Sequence, residues 1–188
     1  IPDKFDRSAR PKPGASKTVK VPEFYNSKLE NGLIITGTKT NETPEVNINI
    51  SIDGGVLLLG EDKLKKLGIQ ELTAGILNEG TKNFTTEQIS AELDKLGSSI
   101  DFLPGKTANV INVSCLRKNL DATLKLLEEK LLNPGFREED FKLVKKQYKE
   151  NLKNLKVNSS YQASIMFNYA LYGDNVFGLA PSMKSVDN

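Results

Sequence analysis

An α+β fold, an antiparallel or mixed sheet with helices packed on one face, is what this 188-residue sequence predicts. Three observations carry the prediction. Val46, Ile48, Ile50 and Ile52 alternate with Asn47, Asn49 and Ser51, the period of two that marks a half-buried and antiparallel strand. Two later segments, "SSIDFL" and "TANVINVSCL", are joined by Pro104-Gly105 and read as a hairpin. Before and after that hairpin, apolar residues recur at helical spacing, so the order is two strands, two helices, two strands, then helices.

Taken along the chain, residues 1–22 hold four prolines and many charges without a periodic apolar face, and read as a linker or arm. Such a start, at Ile1 and without a signal segment, suggests a piece of something larger, and residues 23–188 form the expected domain. Asn31-Gly32 marks a turn feeding the first strand, and Gly54-Gly55 ends the second. "LGIQELTAGILNEGT", residues 67–81, places Ile69, Leu72, Ile76 and Leu77 on one face, with Gly80 where a C-terminal cap belongs. Thr85 with Gln88 forms a capping box for the next helix, whose face is Ile89, Leu93 and Leu96 and whose stop is Gly97. After the hairpin, Leu120, Leu124, Leu127 and Leu131 stack along a helix that breaks at Asn133-Pro134-Gly135. Phe141, Val144, Tyr148, Leu152 and Leu155 then line one side of a long helix, and "SSYQASIMFNYALYG" makes a last short one.

Composition narrows the chemistry. With 26 basic and 24 acidic side chains the formal charge is +2, which makes no case for nucleic acid as a partner. No apolar run approaches the roughly 20 residues that a membrane-inserted helix needs. Histidine is absent, which removes Ser-His-Asp and Cys-His sites, His-ligated zinc and His proton relays. The single cysteine, Cys115, excludes an internal disulfide, and beside Ile111 and Val113 it reads as a buried, inert thiol.

The remaining candidates have ordinary explanations. Lys142, Lys145, Lys149, Lys153 and Lys156, with Lys146 alongside, form a basic stripe that reads as a solvated helix face whose stems cover the core edge. Glu128-Glu129 and Glu138-Glu139-Asp140 lie at helix ends, where the helix dipole accounts for the second cluster. The sequons at Asn41, Asn83, Asn112 and Asn158 are short enough to arise by chance. Phosphate-cradling glycine loops, CxxC pairs and EF-hand spacings do not occur.

An ordered series of segments adds a resemblance. "LENGLIITGTKTNETPEVNINISIDGG", "LGIQELTAGILNEGTKNFTTEQISAELDKLGSSI", "LEEKLLNPGFREEDFKLVKKQYKEN" and "LYGDNVFG" resemble, in order and spacing, the first domain of one half of a pitrilysin-type (M16, insulinase-like) zinc peptidase. Catalytic halves of that family carry an inverted zinc motif, HxxEH, whose histidines bind the metal and whose glutamate activates water. Aligned on Gly68 and Gly80-Thr81, the motif falls on Glu71, Ala74 and Gly75, and the family's third ligand falls on Glu150 or Asn151. The resemblance therefore implies a non-catalytic half with a degenerate motif, without catalytic residues or a metal of its own. It also implies a mitochondrial-processing-peptidase-like metallohydrolase fold, zinc in a fused or separate HxxEH-bearing half, and an extended peptide as substrate. Export, to the periplasm or elsewhere, is a further implication. A purely structural domain of the same ancestry is the alternative.

Overall fold

Among the described residues, the strands build two antiparallel assemblies. In the computed structural model, residues 21–39 and 43–188, together with Gly14, are described. The arm expected over 1–22 lies outside the described residues apart from Gly14, Val21 and Pro22, as does Asn41. The chain divides into two compact units, Ile1–Thr43 and Pro44–Asn188.

In the first unit, β1 (Phe24–Lys28) pairs antiparallel with β2 (Ile34–Thr38). The expected turn closes the pair: Gly32 takes φ +90, and its N–H donates to the Leu29 carbonyl at 2.9 Å. β1 is a strand beyond those read from the sequence. "FYNSK" shows no alternation because all five of its residues are exposed.

In the second unit, the sheet order is β3 (Glu45–Asp53), β5 (Ala108–Leu116), β4 (Ser99–Leu103), antiparallel throughout. Ile48, Ile50, Ile100, Phe102, Ile111 and Val113 turn to one face and meet Ala74, Leu77, Leu93 and Leu127 from the helices, which confirms the α+β arrangement. Polar residues take the alternate positions, where Asn49 Nδ2 donates to Asn112 Oδ1 at 2.7 Å. Cys115 is buried, as its pattern predicts.

Among the described residues there are six α-helices, five read from the sequence, two of those with corrections, and a sixth, the last, beyond that reading. They are α1 (Ile69–Asn78), α2 (Thr86–Leu96), α3 (Leu120–Leu132), α4 (Glu138–Lys156), α5 (Ser159–Tyr172) and α6 (Met183–Asp187). The capping box of α2 is complete, and Gly97 stops it in the left-handed conformation at φ 57. α1, however, ends at Asn78 and is capped at Glu79 rather than at Gly80. Gly80 is required for close approach instead, since a Cβ there would stand 2.7 Å from the Phe84 carbonyl oxygen and 2.9 Å from the Thr86 nitrogen. The buried face of α3 is also rotated from the leucine stack: Thr123, Leu127 and Lys130 are buried, while Leu124 and Leu131 remain exposed. Hydrogen bonds make that burial tolerable, because Thr123 Oγ1 reaches the Asn119 carbonyl and Ser98 Oγ, and Lys130 Nζ reaches two carbonyls.

α1 lies between two cores. Ala74 and Leu77 pack toward the sheet, and Leu72 and Ile76 pack against Val144, Tyr148 and Leu152 of α4. Full burial of each such aliphatic side chain contributes about 1.5–3 kcal/mol. That two-sided packing leaves Ile69, at the start of the expected face, exposed.

Candidate functional site

The centre of α1 is where the motif positions fall. Glu71 sits in its first turn, half-buried, with Oε2 shut away from solvent and without a hydrogen-bond partner among the described residues. With Gln70, whose Oε1 is in the same condition, it lines a cavity of about 110 Å³ beside Gly68, Lys106 and Leu179. Ala74 is buried in the sheet-side core. Gly75 faces α4, and a Cβ placed on it would stand 2.5 Å from Val144 Cγ1. A side chain at residue 75 would have to displace Val144.

The positions expected on α4 are elsewhere. Glu150 is exposed and accepts a hydrogen bond from Lys153 Nζ at 2.6 Å, which holds its carboxyl below the usual glutamate range. Asn151 is exposed as well. Tyrosines instead form the titratable surroundings of Glu71. Burial pushes the Tyr148 hydroxyl well above the ordinary phenol range, and the Glu71 charge adds to the effect. Tyr161 of α5 is raised by the same two causes. Sequence periodicity had marked Tyr148 only as a packing residue, and its place opposite Glu71 could be seen only once α1, α4 and α5 were assembled. Among the described residues, no group of three or more His, Cys, Asp or Glu side chains gathers where it could hold a metal ion.

The other candidates serve the fold. Lys145 and Lys149 both reach Asp187 of α6, Lys142 pairs with Glu138, and Lys153 with Glu150. Hydrogen bonds from Thr81, Asn133 and Asn83 lower the Glu129 carboxyl, and Glu138, Glu139 and Asp140 occupy the first turn of α4. Of the sequons, Asn83 donates to Glu129, Asn112 accepts from Asn49, and Asn158 caps α5.

The family is decided by a match over most of the chain: the sequence model of the insulinase family, peptidase family M16, covers residues 35–175. This chain belongs to the M16 family. An uncharacterized zinc protease of Rickettsia felis is similar at 26% identity over 132 residues, which is 70% of this chain and 31% of that protein. Two solved M16-like folds superpose on it. The peptidase M16 inactive domain from Pseudomonas fluorescens has a TM-score of 0.73 at 19% identity, covering 88% of this chain and 42% of the other. A protease from Helicobacter pylori has a TM-score of 0.69 at 17% identity, covering 89% and 42%. The chain thus spans under half the length of these relatives.

Proposed function

We propose that this chain is a non-catalytic domain of an M16-type zinc peptidase, one wall of a chamber for extended peptide and a contact surface for the half that bears HxxEH. The observation that carries this reading is the packing at the motif. Zinc takes four ligands from His, Cys and carboxylates in tetrahedral array. Here the three aligned positions hold one half-buried carboxylate, a core methyl group and a glycine whose open side is filled by Val144. Glu150 points its bond to Lys153 rather than completing a set. These residues do not fit zinc, and no hydrolytic step is assigned to them. Membership of M16, the similarity to a zinc protease and the likeness to an inactive M16 domain support placing zinc on another half.

The test is hydrolysis of a quenched peptide by the HxxEH-bearing half, alone and with the complete half containing this domain. Activity that appears only with both is the expected result. Activity indifferent to this domain would instead favour a structural domain of M16 ancestry.

A further inference from the structure

We propose that Asn78 holds the outer edge of β4 shut against an extended peptide, so that strand addition at this edge requires the Asn78 side chain to leave. The inference rests on the chamber-wall reading, because it concerns how that wall meets peptide backbone. Among the described residues, β4 is an edge strand, paired with β5 alone in its sheet. In an antiparallel pair, alternate residues turn both N–H and C=O away from the partner, and these free pairs are what an added strand binds. Asn78 Oδ1 accepts the Phe102 N–H at 2.9 Å, and Asn78 Nδ2 donates to the Phe102 carbonyl at 3.0 Å. A carboxamide carries the same donor and acceptor as a peptide group, so one side chain makes both bonds that an incoming strand would make at Phe102.

The neighbouring positions complete the closure. Phe102 faces outward, so Ile100, two residues away, does too, while Asp101 between them pairs with Asn112 of β5. Beyond Ile100, the Ser98 N–H is already given to the Leu93 carbonyl at 3.0 Å. The positions on either side of Ile100 are thus already occupied. Asn78 is itself held in place, because Lys130 Nζ donates to its carbonyl at 3.0 Å and to that of Glu79 at 2.9 Å. Residue 78 is nonetheless exposed, so its side chain can be reached from solvent.

The experiment compares the intact protein with Asn78→Ala and Asn78→Asp. It reads hydrogen exchange at the Phe102 amide and the affinity for a fluorescein-labelled Val/Thr-rich peptide, with an N-methylated version as the control that cannot pair. Asn78→Ala is expected to speed Phe102 exchange by about fivefold, the worth of one net hydrogen bond, and to gain peptide binding that N-methylation abolishes. Asn78→Asp keeps the acceptor, loses the donor and is expected to fall between; it also serves if alanine frays the helix end. Unchanged Phe102 exchange in both variants overturns the proposal. So does faster exchange without gained binding, or equal binding by native and variant protein. None of these readouts involves hydrolysis, so failure here leaves the chamber-wall reading intact, and failure of reconstituted hydrolysis leaves the closed edge intact.

Discussion

Gly75 and Val144 are the residues on which the functional reading turns, and their contact makes a quantitative prediction. Alanine at residue 75 improves helix propensity by about 1 kcal/mol. Its Cβ, however, would stand 2.5 Å from Val144 Cγ1, a short β-branched side chain buried between helices with little room to yield. Overpacking of this kind costs about 1–3 kcal/mol, so the clash outweighs the propensity. Gly75→Ala is therefore expected to lower stability, and Val144→Ala alone to lower it through the cavity it leaves. Combined, the two should lose less than the sum of the single losses by about 1 kcal/mol or more, measured by urea denaturation as a double-mutant cycle. Strict additivity would mean that Val144 does not fill the place beside residue 75. The resemblance to M16 peptidases is what laid the expected motif positions on Glu71, Ala74 and Gly75, with Gly68 and Gly80-Thr81 fixing the frame. What filled the space was not readable, because Val144 and Tyr148 are separated from α1 by more than sixty residues and enter only through the packing of α4 on it.

At the scale of the element, the junction of α1 with α3 depends on a buried cation. Lys130 is 2% exposed, and its ammonium ties the last carbonyls of α1 to α3, where a positive charge also suits the helix dipole. Burial lowers its pKa from 10.5 to about 8, against the opposing charges of Glu79 and Asp101. A lysine depressed in the folded state holds fewer protons than in the unfolded chain between about 8 and 10.5, so its contribution to stability rises with pH across that window. Lys130→Met leaves two carbonyls without their donor and is expected to cost about 1–3 kcal/mol at neutral pH. Thermal unfolding from pH 8 to 10 should show the native protein gaining on the variant. Above pH 10 the raised Tyr148 works the other way, since the folded state keeps a proton that the unfolded chain gives up. A constant difference between the two proteins from pH 8 to 10 would mean that Lys130 does not titrate there. This same lysine explains why the face of α3 was misread: apolar periodicity finds leucines, and a polar side chain buried by its hydrogen bonds leaves no apolar signal. α2 was legible in full because its capping box and Gly97 are local chemistry, written in adjacent residues. β1 was missed because an exposed ribbon imposes no alternation on its sequence.

At the scale of the whole molecule, α5 presents apolar side chains on both of its sides. One of its sides turns Tyr161, Ile165 and Tyr169 into a cavity of about 300 Å³ beside Leu152 and Leu179. The other runs Ala163, Met166, Phe167, Ala170 and Leu171 at the spacing of a single helical stripe, and all five are exposed, Met166 at 72% and Phe167 at 63%. A helix apolar on both sides is ordinarily buried on both. The stripe bears no charge, so its occupant is apolar too. The chain spans 42% of both solved structures and 31% of the Rickettsia protein, so the remaining polypeptide of such a protein is a candidate to cover it. On the proposed function, that polypeptide is the HxxEH-bearing half. Met166→Glu with Phe167→Glu is then expected to leave the unfolding midpoint of this chain unchanged, since neither side chain is packed within it. The pair should weaken copurification of the separately expressed halves and reduce reconstituted hydrolysis by the same factor. Hydrolysis lost while the halves still copurify would move the stripe from the interface to the peptide chamber. A fall in the unfolding midpoint would place it inside this domain's own fold.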